Sequence, residues 1–202
     1  MMRITDVVKN LLIINVLMYF ATRYLWGNPD RFILALFYPT SDFFHPYQLV
    51  THMFMHADIN HLLLNMLGLY MFGSSLEAFW GSRRFLFFYL FCGFGSMILY
   101  LLVRYLEVGL NVDNTPMLGA SGAIFGLMAG YATLFPNNII SLLFPPISLP
   151  AKYFVLIYAA AELFFGLGIV DVGRGVAHFA HLGGALFGFL LILYWRKYGS
   201  KL

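Results

Sequence analysis

The chain has 202 residues, 61% of them hydrophobic and 10% charged, with a formal net charge of +3 and a mean hydropathy of +0.79. Ordinary soluble domains carry roughly 25% charged residues, so the composition excludes a soluble globular protein and points to one compact membrane domain, residues 1–202. The charge gives no case for nucleic acid, because the basic residues cluster at the ends of apolar runs, and Cys92, as the only cysteine, excludes an internal disulfide.

A helix of about 20 mainly apolar residues crosses the hydrocarbon core. Six such runs stand at approximately 9–26, 60–79, 85–105, 118–135, 149–167 and 177–195. The expected fold is therefore all-α, a polytopic bundle of six transmembrane helices. The first run follows Arg3 and Lys9 as a secretory signal would, but "YFATRYLW" offers no small-x-small cleavage site and reads as a retained helix. The segment after it, "GNPDRFILALFYPTSDFFHPYQLV", is too long for a turn and too apolar for a solvated loop. Pro29, Pro39 and Pro46, with Asp30, Arg31 and Asp42, argue against a seventh span, which leaves a segment lying in the interface along the outer rim. Between the fifth and sixth runs, the short glycine-rich "GLGIVDVGRGV" suits a mobile cap. No repeat and no paired broken helices of the transporter kind are evident.

With the N-terminus inside, Arg3, Lys9, Arg83, Arg84, Lys152, Arg196, Lys197 and Lys201 fall on the cytoplasmic side, against Arg23, Arg31, Arg104 and Arg174 outside. The positive-inside rule then places both termini in the cytoplasm.

Polar groups within apolar runs are functional candidates by default, since a charge at the helix centre costs about 2.5–3.5 kcal/mol even on insertion scales. The second run carries His61 and Asn65, preceded by His52 and His56; the fourth carries Ser121, the fifth Glu162, the sixth His178 and His181. Runs two, four and six share one direction, so the candidates on them lie within about two turns of the outer ends. His61 and Asn65, four apart, share a helix face. Gly119, Gly122, Gly126 and Gly130, and then Gly184 and Gly188, follow the small-xxx-small spacing that lets backbones approach closely. Runs four and six can thus bring a serine and a histidine within hydrogen-bond reach.

A serine hydroxyl needs a base, usually a neutral imidazole, and acyl transfer needs donors aimed at the developing oxyanion. Asn65 offers an amide N–H, His61 a ring N–H, and Ser121 its own backbone N–H, free in the first turn of a helix. The set completes a serine hydrolase site without a third carboxylate. Plainer readings stand beside it: Ser121 as a helix N-cap, His181 as an interhelical hydrogen-bonder, and His178 as the rival base. His52, His56 and His61 as metal ligands are disfavoured, because no HExxH pattern supplies a glutamate base. Glu162 takes a structural role by default.

These residues resemble the rhomboid intramembrane serine proteases in their bacterial, six-span core form. The match lies in "GASG" around Ser121, "AHLGG" around His181, and "HMFMHADINHLLLN", which carries His52, His56, His61 and Asn65. The resemblance implies a Ser121–His181 dyad and an oxyanion hole from His61, Asn65 and the Ser121 backbone. It also implies cleavage of transmembrane protein substrates near their outer ends, with no cofactor and no metal. Glu77 would be a structural polar residue, Gly119, Gly184 and Gly188 packing positions, and His52 and His56 lining of a water-accessible outer cavity. Where many members carry Trp-Arg in the first outer loop this chain has Tyr47 and Gln48, a departure that bears on how the loop is anchored. Phe125, which the resemblance puts with His52 and His56 among the cavity or substrate-pocket residues, stands where bacterial members often have tyrosine, and its ring can still stack on His181.

The implied setting is a bacterial inner membrane, with lipid and substrate helices as partners, no nucleic acid, a monomer or weak homo-oligomer, and a site opening outward. Substrate would enter between runs two and five, past aromatics such as Phe154 or Phe164. The alternative is a non-catalytic rhomboid-like adaptor that binds client helices, against which the retention of both Ser121 and His181 argues. A transporter or channel stands third.

Overall fold

The computed structural model describes residues 3–25, 32–109, 115–142, 146–168 and 175–199. The chain is mostly helical, as its apolar runs require of a backbone that must satisfy its own hydrogen bonds in lipid. Helix α1 spans Asp6–Phe20 and ends in a π turn, Ala21–Leu25. After the outer segment come the short α2, Gln48–Thr51, and then α3, Ile59–Gly68, which continues through a π turn into α4, Ser74–Trp80. Gly81, at φ +79°, breaks the chain before α5, Ser82–Val108. Helices α6, Ser121–Leu134, α7, Ala151–Gly166, and α8, Gly175–Tyr198, complete the bundle.

The helices alternate in direction. At one end the start of α1 meets the end of α4 and the start of α5, because Glu77 accepts from the N–H of Val7 and Val8 and from the Ser82 hydroxyl. Arg196 of α8 donates to the Thr133 carbonyl of α6 at the same end. At the opposite end the Tyr100 hydroxyl of α5 donates to the Thr115 carbonyl, and Phe165 of α7 packs on His178 of α8. Helix α6 is the central one: apolar all round, it buries Gly122, Ala123, Ile124, Gly126, Leu127, Met128, Ala129 and Gly130. Phe85, Phe88, Tyr89 and Cys92 of α5 and Leu191, Ile192 and Trp195 of α8 close the core around it.

Two helix starts differ from the sequence reading, each for a local cause. Among the described residues, three helices are long and apolar enough to cross a membrane by length and composition, Ile59–Trp80, Ser82–Glu107 and Ala177–Tyr198, and Ser121–Leu134 is a shorter apolar helix. Helix α6 starts later than expected because Met117 exchanges backbone hydrogen bonds with Leu36 and Gly119 takes φ +115°, which no helix continues through. Helix α7 starts at Ala151 because the residues before it form strand β2, Ser148–Pro150, antiparallel to β1, Ile139–Ser141. This hairpin is the non-helical exception to the all-α expectation. The expected mobile cap falls largely on residues 169–174, which lie outside the described residues.

The outer segment from 32 to 58 is packed into the protein, with Ala35 and Leu36 fully buried. Gln48 is the reason. Its buried amide donates to the carbonyls of Ile33 and Phe43 and accepts from the N–H of Phe37 and His45, at 2.8–3.3 Å. One side chain thereby gathers four backbone groups that a tight turn cannot satisfy, and it occupies the position where the sequence departed from the family pattern.

Glu77 does the same at the other end, where the first-turn N–H groups of α1 have no intrahelical acceptor and favour an anion. Glu77→Ala leaves these donors buried and is expected to cost on the order of 2–3 kcal/mol. The thermal midpoint in detergent should fall clearly, with no change in bundle helicity at low temperature; an unshifted midpoint would remove Glu77 from this role.

Candidate active site

The contact between α6 and α8 is made by backbone. A Cβ on Gly184 would overlap the Gly122 carbonyl, and one on Gly188 would lie 2.9 Å from the Gly126 oxygen and 3.0 Å from its Cα. At this separation short side chains can meet across the interface. The Ser121 Oγ and His181 Nε2 lie 2.8 Å apart. Ser121 is the first residue of α6 and makes no N-capping bond, since the cap position belongs to Ala120. The N-cap reading of Ser121 is thus corrected: its oxygen is aimed across the interface instead. Phe125, one turn further along, stacks flat on His181 with centroids 4.4 Å apart and planes 3° from parallel.

His61 arrives from α3. Asp58 caps α3 by accepting the His61 N–H at 2.9 Å, which fixes His61 in the first turn; that bond also holds the Asp58 carboxyl below its ordinary value. The Ala57 N–H reaches His61 Nδ1 in a long 3.4 Å bond, so Nε2 carries the proton and is a donor. Nε2 sits against Gly119: a Cβ there would be 2.8 Å away, and the Gly119 φ of +115° suits no other residue. Gly119, expected as a packing position, is therefore also a turn that makes room for His61. Asn65 is buried one turn below, with an amide N–H donating to the His61 carbonyl at 2.8 Å. As the first residues of α6, Ser121 and Gly122 have N–H groups without intrahelical acceptors.

A cavity of about 650 Å³ opens beside these groups, its wall including His61, Ser121 and His181 together with Tyr100, Arg104 and Met117. Phe125 is not part of that wall, and, equally contrary to expectation, neither are His52 and His56. Both are buried beneath the outer segment: His52 Nδ1 pairs with the Gln48 carbonyl, and His56 has neither ring nitrogen hydrogen-bonded and meets His61 edge-on at 5.0 Å. Burial lowers His52 from 6.5 to about 4. Burial and the nearby His61 lower His56 to about 3.

Glu162 of α7, assigned a structural role by default, reaches the same place. Its Oε2 lies 2.6 Å from His178 Nδ1 and 3.1 Å from His181 Nδ1. The first contact is a directed hydrogen bond; the second is at ion-pair distance but off the N–H direction. Among the described residues, Glu162, His178 and His181 form the group of ligating atoms gathered within 4.8 Å of one another, whereas the histidines weighed as metal ligands, His52, His56 and His61, do not. His178 and His181, three apart, share a face of α8; the sequence marked Glu162 only as a polar group in an apolar run and could not place it beside them, because it arrives from another helix.

A mostly helical membrane protein whose apolar bundle holds a serine and a histidine in contact beside a cavity defines the class. Residues 44–198 match the Rhomboid domain, and the chain belongs to the rhomboid family of integral membrane proteins. It is 34% identical over 152 residues to RHOMBOID-like protein 4 of Arabidopsis thaliana, covering 72% of this chain and 33% of that one. It is 34% identical over 155 residues to the mitochondrial presenilin-associated rhomboid-like protein A of Danio rerio, covering 74% and 39%. To the mitochondrial rhomboid protein 1 of Saccharomyces cerevisiae it is 32% identical over 152 residues, covering 73% and 41%. The chain thus spans about a third to two fifths of the length of these curated relatives.

The buried histidines set a pH dependence of stability. Unfolded, His52 and His56 take up protons below about pH 6.5; folded, they resist until about 4 and 3. The unfolded chain therefore binds more protons in between, and stability falls as pH drops from about 6.5. The thermal midpoint in detergent is expected to decline between pH 6.5 and 5, and His56→Phe should flatten the decline. An unchanged slope in the variant would rule out a neutral buried His56.

Proposed function

We propose that the chain is an intramembrane serine endopeptidase of six transmembrane helices, hydrolysing peptide bonds in or near transmembrane segments of membrane proteins through Ser121 and His181. The observation that carries this reading is the 2.8 Å contact between Ser121 Oγ and His181 Nε2. Family membership supports it, and so does the cavity at the serine, because water must reach an acyl-enzyme to hydrolyse it.

Ser121 Oγ attacks the scissile carbonyl as His181 Nε2 takes its proton; the proton then goes to the leaving amine, and a water deacylates the enzyme by the same route reversed. Charge on the tetrahedral oxygen is received by the Ser121 N–H, the His61 Nε2–H and the Asn65 amide. Phe125 holds the imidazole plane by stacking. Depth follows from helix length: 14 residues of α6 rise about 21 Å, less than the roughly 30 Å hydrocarbon core. Ser121, at the start, would thus sit below the membrane surface but within reach of the cavity.

With both termini cytoplasmic by the distribution of basic residues, the site opens to the outer side, in a bacterial inner membrane. The exposed apolar faces of α3 and α7, with Leu63, Leu64 and Leu67 on one and Leu156, Ile157 and Phe164 on the other, suit entry of a substrate helix from lipid. No cofactor takes part, and the protein works as a monomer or weak homo-oligomer.

Fluorophosphonate labelling of purified protein tests the reading. Wild type is expected to label, and Ser121→Ala and His181→Ala are expected to lose label and cleavage while expressing normally. A folded but unlabelled wild type would favour a non-catalytic adaptor for client helices. Asn65→Ala is expected to slow cleavage on the order of 10²–10³-fold, as for other oxyanion donors; unchanged rates would remove it from the site.

A further inference from the structure

The serine–histidine pair has a third neighbour. If His181 Nε2 accepts the Ser121 proton, a neutral His181 must carry its own proton on Nδ1. That nitrogen is 3.1 Å from Glu162 Oε2. Glu162 is in turn gripped by His178 Nδ1 at 2.6 Å, at the short end for an N–H group donating to a carboxylate. The carboxylate comes from α7 and the two histidines from one face of α8, and all three are only partly exposed, with Glu162 and His178 side chains at 14% and 18%.

We propose that Glu162, braced by His178, is a positioning residue for His181. Its carboxylate selects the Nδ1–H tautomer that leaves Nε2 free for Ser121, and it stabilises the imidazolium formed when the serine proton is transferred. The proton passes from Ser121 Oγ to His181 Nε2 and on to the leaving amine; Glu162 takes none. The off-line approach to Nδ1 fits a carboxylate shared between two rings: His178 takes the directed bond and keeps the charge in place, and His181 receives mainly its field. This rests on the serine-protease reading, and it makes α7 part of the site.

Two readouts separate the two claims. In wild type selectively ¹⁵N-labelled at histidine, His181 is expected to show the Nδ1–H tautomer at neutral pH, and Glu162→Gln should shift it toward a mixture. This readout needs no activity. In kinetics on a transmembrane substrate, Glu162→Gln is expected to lower kcat by about 10–100-fold with KM unchanged, and to slow fluorophosphonate labelling by the same factor; this loss is smaller than the ~10⁴-fold loss of a fully aligned buried carboxylate. Glu162→Asp should recover part of it, and His178→Ala should fall between Glu162→Gln and wild type, with thermal midpoints close to wild type throughout. Failure of wild type to label with the tautomer intact would sink the protease reading alone. An unaltered tautomer and labelling rate in Glu162→Gln would overturn the positioning role. Labelling lost on EDTA treatment and restored by Zn²⁺ would overturn it too, since the trio would then be holding a metal.

Discussion

The backbone contact between α6 and α8 is the constraint on which the rest of the structure depends. Lipid gives helices no hydrophobic reason to associate, so close packing must do so. Gly122 and Gly126 face Gly184 and Gly188 with no room for a Cβ. On the other side of α6 the same glycines receive side chains of α5: Gly122 lies against Ser96 and Gly126 against Cys92. Three helices therefore pack as one unit, and one end of their seam is where Ser121 and His181 meet. The glycines fix a distance, and the distance brings the two side chains into contact.

A bundle built on apolar packing still has to satisfy its backbone where the helices stop, and two buried polar side chains do so at opposite ends. Glu77 gathers the start of α1 and the turn into α5. Gln48 gathers the outer segment, from which the His52 carbonyl accepts the Gly119 N–H two residues before Ser121. Buried polar groups with full sets of partners specify one arrangement, since any other leaves them unsatisfied. The outer knot thus bears on the site indirectly, by holding the turn at Gly119 and the His61 ring beside it.

The site is in this way assembled from elements of unequal rigidity. Ser121 and His181 stand on the two helices locked by glycine. His61 and Asn65 stand on α3, whose first turn is held by Asp58. Glu162 stands on α7, which exposes much of its apolar surface and rests mainly on α8.

The sequence by itself determined the membrane class, the approximate positions of the apolar helices and the pairing of glycines on runs four and six, because these follow from composition and from spacing along one helix. It also singled out Ser121, His181, His61 and Asn65, since polar groups in an apolar span are costly enough to stand out. What it did not determine is what arrives from elsewhere in the chain. Asp58 looks unremarkable in the sequence and Gln48 stands out only as a departure from the family pattern; both become anchors when distant backbone folds around them. His52 and His56 read as cavity residues, whereas the outer segment buries them. The late start of α6 was set by the bridge from Leu36 to Met117. Glu162 found its place beside His178 and His181 through the packing of α7 on α8. Periodicity reports which residues share a face of one helix; only the tertiary structure decides which faces meet.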